Sequence, residues 1–548
     1  MSFVIPDGMA PEAYPVAWLV GEWRGHGVVE YPDVPRSDFT QRVVFDHDGG
    51  PYLSYTSTIT LVGMDGEPGQ VWSAESGFWR VAPDAPDGVQ LKEGQHPLEV
   101  LLTDAGYANV RRMLASEGRL PPSDAVRLEE MINYFSYDYT PPASVEQPFS
   151  IHTELAPAPW SDAHQLLQVG LKGFEPQLAE RPAANLVFLV DVSGSMRAPN
   201  KLGLVKKSLR LLVNSMNADD RIALAVYAGA AGTVLESTPG NQKAKILAAI
   251  DGLEAGGSTH GSAGIKLAYA LARQHQVEGG INRVIIASDG DMNVGTVNIE
   301  ALKDLVERQR DSGIALTTLG FGAGNYNYAL MEQIADVGNG NAAYIDTLRE
   351  AQKVLVNEMQ STLLTIAADV KIQVEFNPAV VSEYRLIGYE NRLLAREDFN
   401  NDKVDAGDIG AGHTVTALYE IVLAGSGGER IPELRYGERA APVTDHDGEL
   451  AHVKLRYKQP GAQRSQLISR VVRRDSLRRD IGQGSTDLRF AASVAGFGEL
   501  LRGGDFTRQW SYDDALALAR GARGDDPHGY RSELVHLIEL AQSLSSGS

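Results

Sequence analysis

Between residues 14 and 93 the chain alternates apolar and polar positions in four short runs, GEWRGHGVVEY, DFTQRVVFDH, PYLSYTSTITLVG and SGFWRVAP, with Gly, Pro and Asp turns between them. A period of two punctuated by turns predicts antiparallel strands, and an up-and-down barrel suits them. From residue 107 the period lengthens: YANVRRMLASEGRLPPSDAVRLEEMINYFSYDY reads as two helices broken at Pro121 and Pro122, the second capped by Ser123 or Asp124. Period two returns in PFSIHTELAP and HQLLQVGLKG, and later in DVKIQVEFNP, HTVTALYEIVLAG and ELAHVKLRYKQ. Between these two groups, apolar strands at 185–190, 222–228, 283–288 and 314–320 alternate with helical spacing at 201–216, 241–253, 263–276, 299–312, 327–337 and 348–364. That alternation means right-handed crossovers and a doubly wound, Rossmann-like sheet, with TVLEST at 233–238 as its antiparallel edge. After Gln459 the pattern is helical again, in LRFAASVAGFGELLRG, SYDDALALARGARG and GYRSELVHLIELAQSL.

The pattern divides the chain into a partial antiparallel β-barrel (1–106), a helical segment (107–147), a β-sandwich (148–182 and 366–460), an α/β domain (183–365) and a C-terminal helical region (461–548). The α/β domain begins and ends near one face of its sheet, so the strands flanking it are expected to pair with each other, as one sandwich into which it is inserted. An incomplete barrel has two open edges, which proteins normally cover or pair. Either residues 95–106 and neighbouring strands close it, or the first part folds poorly; HPLEVLLTDAG reads equally as a last barrel strand or as the first strand of the next domain.

The chemistry gathers at the end of one strand. Leu186 to Val190 has no polar position, which fits a central parallel strand covered on both faces. It ends in three oxygen-bearing side chains at alternate positions, Asp191, Ser193 and Ser195, with Gly194 allowing a sharp turn. AGGSTHGSAG places Thr259 in a glycine-rich turn, and RVIIASDGD places Asp289 at the end of another apolar strand. Open α/β sheets bind ligands outside the carboxyl ends of their strands, and oxygen ligands converging there suit a hard cation. The order D-x-S-x-S, distant Thr, distant Asp-Gly resembles the metal-ion-dependent adhesion site of von Willebrand factor type A domains. The resemblance implies that Ser193, Ser195 and Thr259 ligate Mg²⁺ through hydroxyls, and that Asp191 and Asp289 act directly or through water. It implies an open coordination position for an Asp or Glu carboxylate of a protein partner.

Enzyme readings of the same loop fail on residue identity. An aspartyl phosphatase wants a second acid where Ser193 stands, a G-x-S-x-G elbow wants glycine at Asp191, and GGSTHG lacks the lysine of a phosphate-cradling loop. His260 is the nearby titratable group, and beside Thr259 it is expected to point elsewhere. The expected function is binding without catalysis.

Composition narrows the partners. Lys+Arg 50 against Asp+Glu 71 gives a formal net charge of −21, which argues against nucleic acid and anionic lipid. The basic cluster RVVRRDSLRRD at 470–480 has Asp475 and Asp480 interleaved and reads as a solvated or internally paired face. With no cysteine, disulfides and thiol chemistry are excluded. There is no window of about 18 apolar residues, so no membrane span is expected, and the start has no basic, apolar leader, which favours a cytoplasmic location. In EDFNNDKVDAGDIGAGH the oxygen-bearing Asp398, Asn400 and Asp402 stand two apart, but Lys403 and Ile409 occupy the positions where a calcium loop needs Gly and Glu, so a turn bracing the α/β domain is expected.

Two further resemblances cover the rest. Gly21, Trp23, Gly25 and Gly27, then Tyr31-Pro32, then Glu75-Ser76-Gly77-Phe78-Trp79-Arg80, resemble the first half of the nitrobindin family of haem-binding β-barrels. That family's proximal histidine belongs to the second half, and Ser73 stands where many members carry a histidine. His26 and His96 are the nearest substitutes, and haem is not expected. Tyr107, Asn109, Arg111, Arg112 and Arg127 to Tyr134, with INRVIIASDGDMNVG, LGFGAGNYN and RLIGYENR, resemble the bacterial YfbK-like von Willebrand A proteins over about residues 107–540. That resemblance implies an envelope association, at odds with the absence of a leader. Haem or small-ligand carriage by the first part is the runner-up function.

Overall fold

The computed structural model describes residues 20–31, 34–46, 53–62, 68–79, 95–99, 105–144, 146–175, 181–228, 231–256, 261–290, 299–322, 328–358, 364–389, 396–402, 407–430, 446, 448–507 and 510–546. The chain divides into two units, residues 1–92 and 93–548.

In the first unit the alternating runs form β1 (Gly21–Tyr31), β2 (Val34–Asp46), β3 (Leu53–Val62) and β4 (Pro68–Trp79), an antiparallel meander in that order. Gly25 faces Gln41 and Thr58 faces Arg42 in register. Phe45 and Ser57 are buried, and the Gln41 amide donates to Ser57 Oγ at 2.9 Å.

β5 (Gln95–Glu99) resolves the ambiguity at HPLEVLLTDAG. It pairs antiparallel with the strand at 365–376 in the second unit, His96 opposite Val374, so these residues do not belong with the 1–106 barrel segment. The physical reason is edge coverage: that strand offers an unpaired edge, and β5 covers it.

α1 (Ala105–Arg111) continues into a wide π turn at 112–116, and α2 (Leu128–Asn133) follows the prolines. The second helix does not open at Ser123 or Asp124; those residues lie in a short 3₁₀ turn, and α2 starts after Arg127 without a side-chain cap. β6 (Phe149–Pro157) and β7 (His164–Gly173) come next.

The α/β domain comprises β8 (Ala184–Asp191), α3 (Leu202–Ser215), β9 (Arg221–Tyr227), β10 (Ala231–Pro239), α4 (Lys243–Asp251), α5 (Gly261–Gln274), β11 (Ile281–Ser288), α6 (Ile299–Asp311), β12 (Ala315–Phe321), α7 (Tyr328–Val337), β13 (Ala342–Ile345) and α8 (Leu348–Gln352). The sheet order is β10-β9-β8-β11-β12-β13, parallel except for the antiparallel edge β10. Strand order reverses between β8 and β11, so their carboxyl ends flank the switch-point crevice. Every residue of β8 and β11 is buried, because α3, α4 and α8 pack on one face and α5, α6 and α7 on the other. β13 is an addition to the expected strands; its alanines gave little strand signal.

β14 (Thr365–Phe376), β15 (Val381–Leu386), β16 (Ile409–Gly410), β17 (Thr414–Leu423), β18 (Glu449–Lys458) and β19 (Gln466–Arg473) follow. One sheet runs β16-β14-β18-β19, with β5 also on β14; the other runs β15-β17-β7-β6. Thus β7 before the α/β domain pairs directly with β17 after it, Val169 opposite Ala417. Phe149, Leu167, Ile372, Tyr419 and Val453 share one core between the sheets. β19 corrects the helical assignment of 461–548: QLISRVVR is a strand paired with β18 on the edge of this sheet.

α9 (Thr486–Leu501), α10 (Tyr512–Gly521) and α11 (Tyr530–Ser545) close the chain, α9 capped by Ser485 and α10 by a Ser511–Asp514 capping box. They share a core with α1 and α2: Tyr107 stacks on Tyr134 at 3.9 Å, and Phe135 meets Phe490 edge-on. The two helical stretches that looked separate in sequence therefore bury one another's apolar faces.

Among its described residues the acidic loop braces the β14–β18 sheet, and Asp408 also acts through its charge on Arg283 of β11 in the α/β domain. Lys371 Nζ donates to the Asn401 carbonyl at 2.8 Å, Arg456 to Asn400 Oδ1 at 2.8 Å, and Ser465 Oγ to Asp402 Oδ1 at 2.5 Å. The basic cluster is partly paired internally, through Arg470 to the Ile151 carbonyl and Arg478 to Glu154.

Candidate metal centre at the carboxyl ends of β8 and β11

β8 delivers Asp191 fully buried to the crevice, and the next residues turn through a 3₁₀ segment at Gly194–Arg197. Met196 pins this turn from below, its side chain in the core and its N–H donating to the Ser193 carbonyl at 3.1 Å. Val192 is held on both sides: its N–H donates to the Tyr227 carbonyl at 3.1 Å, and its carbonyl accepts Gly256 N–H at 2.7 Å.

Both Asp191 oxygens are engaged by the protein. Oδ1 accepts the Ser193 N–H at 2.8 Å, and Oδ2 accepts Ser288 Oγ at 3.3 Å. Ser193 Oγ and Ser195 Oγ lie 2.9 Å apart, with Ser193 buried and Ser195 exposed, so two hydroxyls converge at the mouth of the crevice. From the neighbouring strand, Asp289 follows directly on β11 and is buried; its Oδ2 lies 2.9 Å from Lys201 Nζ.

Burial pushes the Asp191 carboxyl above its ordinary value; the Ser193 N–H opposes the shift and the Asp289 charge adds to it. The Tyr227 hydroxyl, buried beside them, is raised well above its ordinary range by burial and by the Asp191 charge, and has no well-formed hydrogen bond among the described residues. A cation in the crevice would relieve the first of these electrostatic strains. The donor set is all oxygen, two hydroxyls and two carboxylates, which suits a hard cation and not a soft one. Among the described residues no three His, Cys, Asp or Glu side chains form a metal cluster.

Of the five residues singled out from sequence, the fold brings Asp191, Ser193, Ser195 and Asp289 to one crevice. Thr259 and His260 lie outside the described residues. The segment that leads to Thr259 is tied to the loop after β8 through Gly256, and the helix that follows, α5, packs on β8 through Gly264, where a Cβ would come within 2.9 Å of Tyr227 and 3.0 Å of Leu189. Sequence reading missed Ser288, Tyr227 and Lys201. Ser288 was visible as the residue before Asp289, but its contact to Asp191 exists only once β8 and β11 are neighbours. Of the haem candidates, His26 is exposed on β1 and His96 lies on β5, in the other unit.

Comparison with known proteins places this geometry. The von Willebrand factor type A domain family matches residues 185–358, and the C-terminal family of the uncharacterized protein YfbK matches 361–544. Over 461 residues the chain is 48% identical to the uncharacterized protein YfbK of Escherichia coli (strain K12), covering 82% of this chain and 79% of that one. The chain belongs to the YfbK family. This YfbK-family chain carries in addition a match to the THAP4-like heme-binding β-barrel domain at residues 12–118. There it is 47% identical over 100 residues to a ferric nitrobindin-like protein of Beutenbergia cavernae and 40% identical over 118 residues to a peroxynitrite isomerase of Kocuria rhizophila, covering 16% and 22% of this chain. It spans only 46% and 57% of those relatives' lengths. Among solved structures, a von Willebrand factor type A protein from Catenulispora acidiphila is 16% identical with a TM-score of 0.38, covering 74% of this chain and 91% of that one. The type A domain marks the chain as carrying a protein-interaction module. Among the described residues no helix is long and apolar enough to cross a membrane.

Proposed function

We propose that this YfbK-family chain is a metal-dependent protein-binding scaffold that captures an acidic residue of a partner at its type A domain. The carrying observation is the convergence of the Ser193 and Ser195 hydroxyls, 2.9 Å apart, beside two buried carboxylates at the switch point of the sheet. Ser193, Ser195 and Thr259 would hold Mg²⁺ through hydroxyls, with Asp191 and Asp289 acting directly or through water. A divalent cation held by these residues would offer a coordination position to a partner's Asp or Glu carboxylate.

The rest is done by the chain. Asp191 fixes the loop by accepting the Ser193 N–H and the Ser288 hydroxyl, so it acts on the cation chiefly as a held negative charge. Ser195 is exposed, with its hydroxyl 2.9 Å from that of Ser193. The proposed reading is of binding, not turnover. We further read the two β sheets as one sandwich into which the type A domain is inserted, so that a partner held at the crevice loads the β7–β17 pair.

Titration of Mg²⁺ into the full chain, followed by heat, tests the metal site. Binding that is lost in Ser193→Ala/Ser195→Ala, with the thermal melt unchanged, supports the reading; equal binding by both proteins refutes it. A second reading, haem or small-ligand binding by the first unit, is favoured by its match to the heme-binding β-barrel family. A Soret band on haem titration that persists in the isolated first unit supports it, and no band from a folded first unit excludes it.

A further inference from the structure

Lys201 breaks the local rules of its position. It is the N-cap residue of α3, where Ser, Thr, Asp or Asn is favoured and where a cation opposes the positive end of the helix, and its side chain makes no capping bond. Nothing in α3 calls for a lysine there. The fold holds it for another purpose. Its stem lies across Gly322, at the carboxyl end of β12, where φ is +85° and a Cβ would come within 2.6 Å of both Lys201 Cγ and Cε. The buried Tyr344 hydroxyl donates to the Gly322 carbonyl and fixes that backbone. The glycine thus leaves a slot for the lysine stem, and the slot delivers Nζ to Asp289 Oδ2 at 2.9 Å, with the Lys201 and Asp289 side chains only 17% and 3% exposed.

We propose that Lys201 is a built-in counter-cation that sets the charge of the metal crevice and thereby its preference for a carboxylate ligand over a neutral one; this rests on the metal reading above. Counted over the described residues alone, the crevice takes two negative charges from Asp191 and Asp289. With a divalent cation alone the crevice is neutral, and an incoming carboxylate meets no net attraction beyond the coordination bond. With Lys201 present the loaded crevice carries one net positive charge, in a place screened from water, where such a charge acts strongly. The same ammonium repels the metal and competes with it for Asp289. The residue therefore trades metal affinity for carboxylate selectivity, and its removal has to move the two quantities in opposite directions. A residue that only braced the loop would weaken both.

The test uses the full chain, with Lys201→Met, which keeps the stem in its slot, and Lys201→Arg, which keeps the charge. Calorimetric titration of Mg²⁺ gives metal affinity. Glutarate titrated into the Mg²⁺-loaded proteins, with glutaramide as its neutral counterpart, gives selectivity. Lys201→Met is expected to bind Mg²⁺ about tenfold more tightly and glutarate about tenfold more weakly, the scale of one nearby charge at a partly screened site, with Lys201→Arg close to wild type. Metal affinity in Lys201→Met that is unchanged or weaker, or an unchanged ratio of glutarate to glutaramide binding, overturns the inference while the metal reading stands. No glutarate binding to the loaded wild type overturns its carboxylate half, and no Mg²⁺ binding to the wild type overturns both the inference and the metal reading.

Discussion

Asp191 and Ser193 sit two positions apart and do different work, and substitution should separate them. Ser193→Ala removes one candidate ligand, and excess Mg²⁺ should largely restore binding. Asp191→Ala removes a buried charge and also frees the Ser193 N–H and the Ser288 hydroxyl that it holds, so metal affinity should fall further and excess Mg²⁺ should not restore it. Titrating Mg²⁺ into both variants decides this; equal losses contradict the division of roles. Two buried groups away from the crevice set a pH signature. Burial raises the Glu130 carboxyl from 4.5 to about 7, against the pull of Arg127. Its contribution to stability is complete below pH 4.5 and is lost as pH rises to about 7. Burial lowers the His413 imidazole from 6.5 to about 3, helped by the Lys353 and Lys172 charges, so its contribution is present above pH 6.5 and is lost as pH falls towards 3. Between pH 4.5 and 6.5 the two oppose each other. Relative to wild type, Glu130→Gln should make the melting temperature climb more steeply with pH in that window, and His413→Leu should make it climb less. Melts across the window check both slopes, and wild-type slopes in both variants contradict the assignment. At this scale the sequence displayed Asp191, Ser193, Ser195 and Asp289, because a contiguous motif and a strand end announce themselves. Lys201 and Ser288 were silent, because each acquires its role through a partner at least eighty residues away in the chain, Asp289 and Asp191.

Elements hold these residues in place through few, specific contacts. α5 reaches β8 only because Gly264 has no side chain; Gly264→Val would drive a methyl group against Tyr227 and Leu189 and lift the helix that follows Thr259. Both thermal stability and Mg²⁺ affinity should drop, and a stability loss without a change in metal affinity would separate α5 from the site. α1 is held to the type A domain by Arg111, buried among Asp346, Glu350 and Glu533, with Nε donating to Asp346 Oδ2 at 2.8 Å, Nη2 to Glu350 Oε2 at 2.7 Å and Nη1 to Glu533 Oε2 at 2.9 Å. Arg111→Met leaves three carboxylates without their shared cation, and denaturant unfolding should show a loss of about 3 to 5 kcal/mol. A loss near zero would mean that solvent already screens the network. The central α/β elements were legible because fully apolar strands alternating with helical spacing admit few other folds. The helical ends were less so: α2 lacks the capping signal expected of it, and β19 carries Leu467 and Val471 on its exposed side, which blurs the alternation that marks a strand.

At the scale of the molecule, the chain is built by returns. β7 waits across the whole type A domain for β17, β5 waits for β14, and α1 and α2 wait for the three C-terminal helices. No local pattern announces such pairings, which is why the sequence showed the pieces more clearly than their partnerships. Removal of residues 1–92 should leave the second unit's melt nearly unchanged, whereas removal of 1–104 strips β5 from β14, bares its edge and should lower the melting temperature and promote aggregation. Equal behaviour of the two truncations would show that β5 adds nothing.

The central claim is that an acidic partner is held through a divalent cation at Asp191, Ser193, Ser195, Thr259 and Asp289. The most direct measurement immobilises the full chain and follows binding of a synthetic glutamate-bearing peptide, and of its glutamine counterpart, in Mg²⁺, after chelation, and after Mg²⁺ is returned. Binding of the glutamate peptide alone, abolished by chelator, restored by Mg²⁺ and absent in Ser193→Ala/Ser195→Ala, is the expected result. Binding that ignores the chelator and the double substitution contradicts the account.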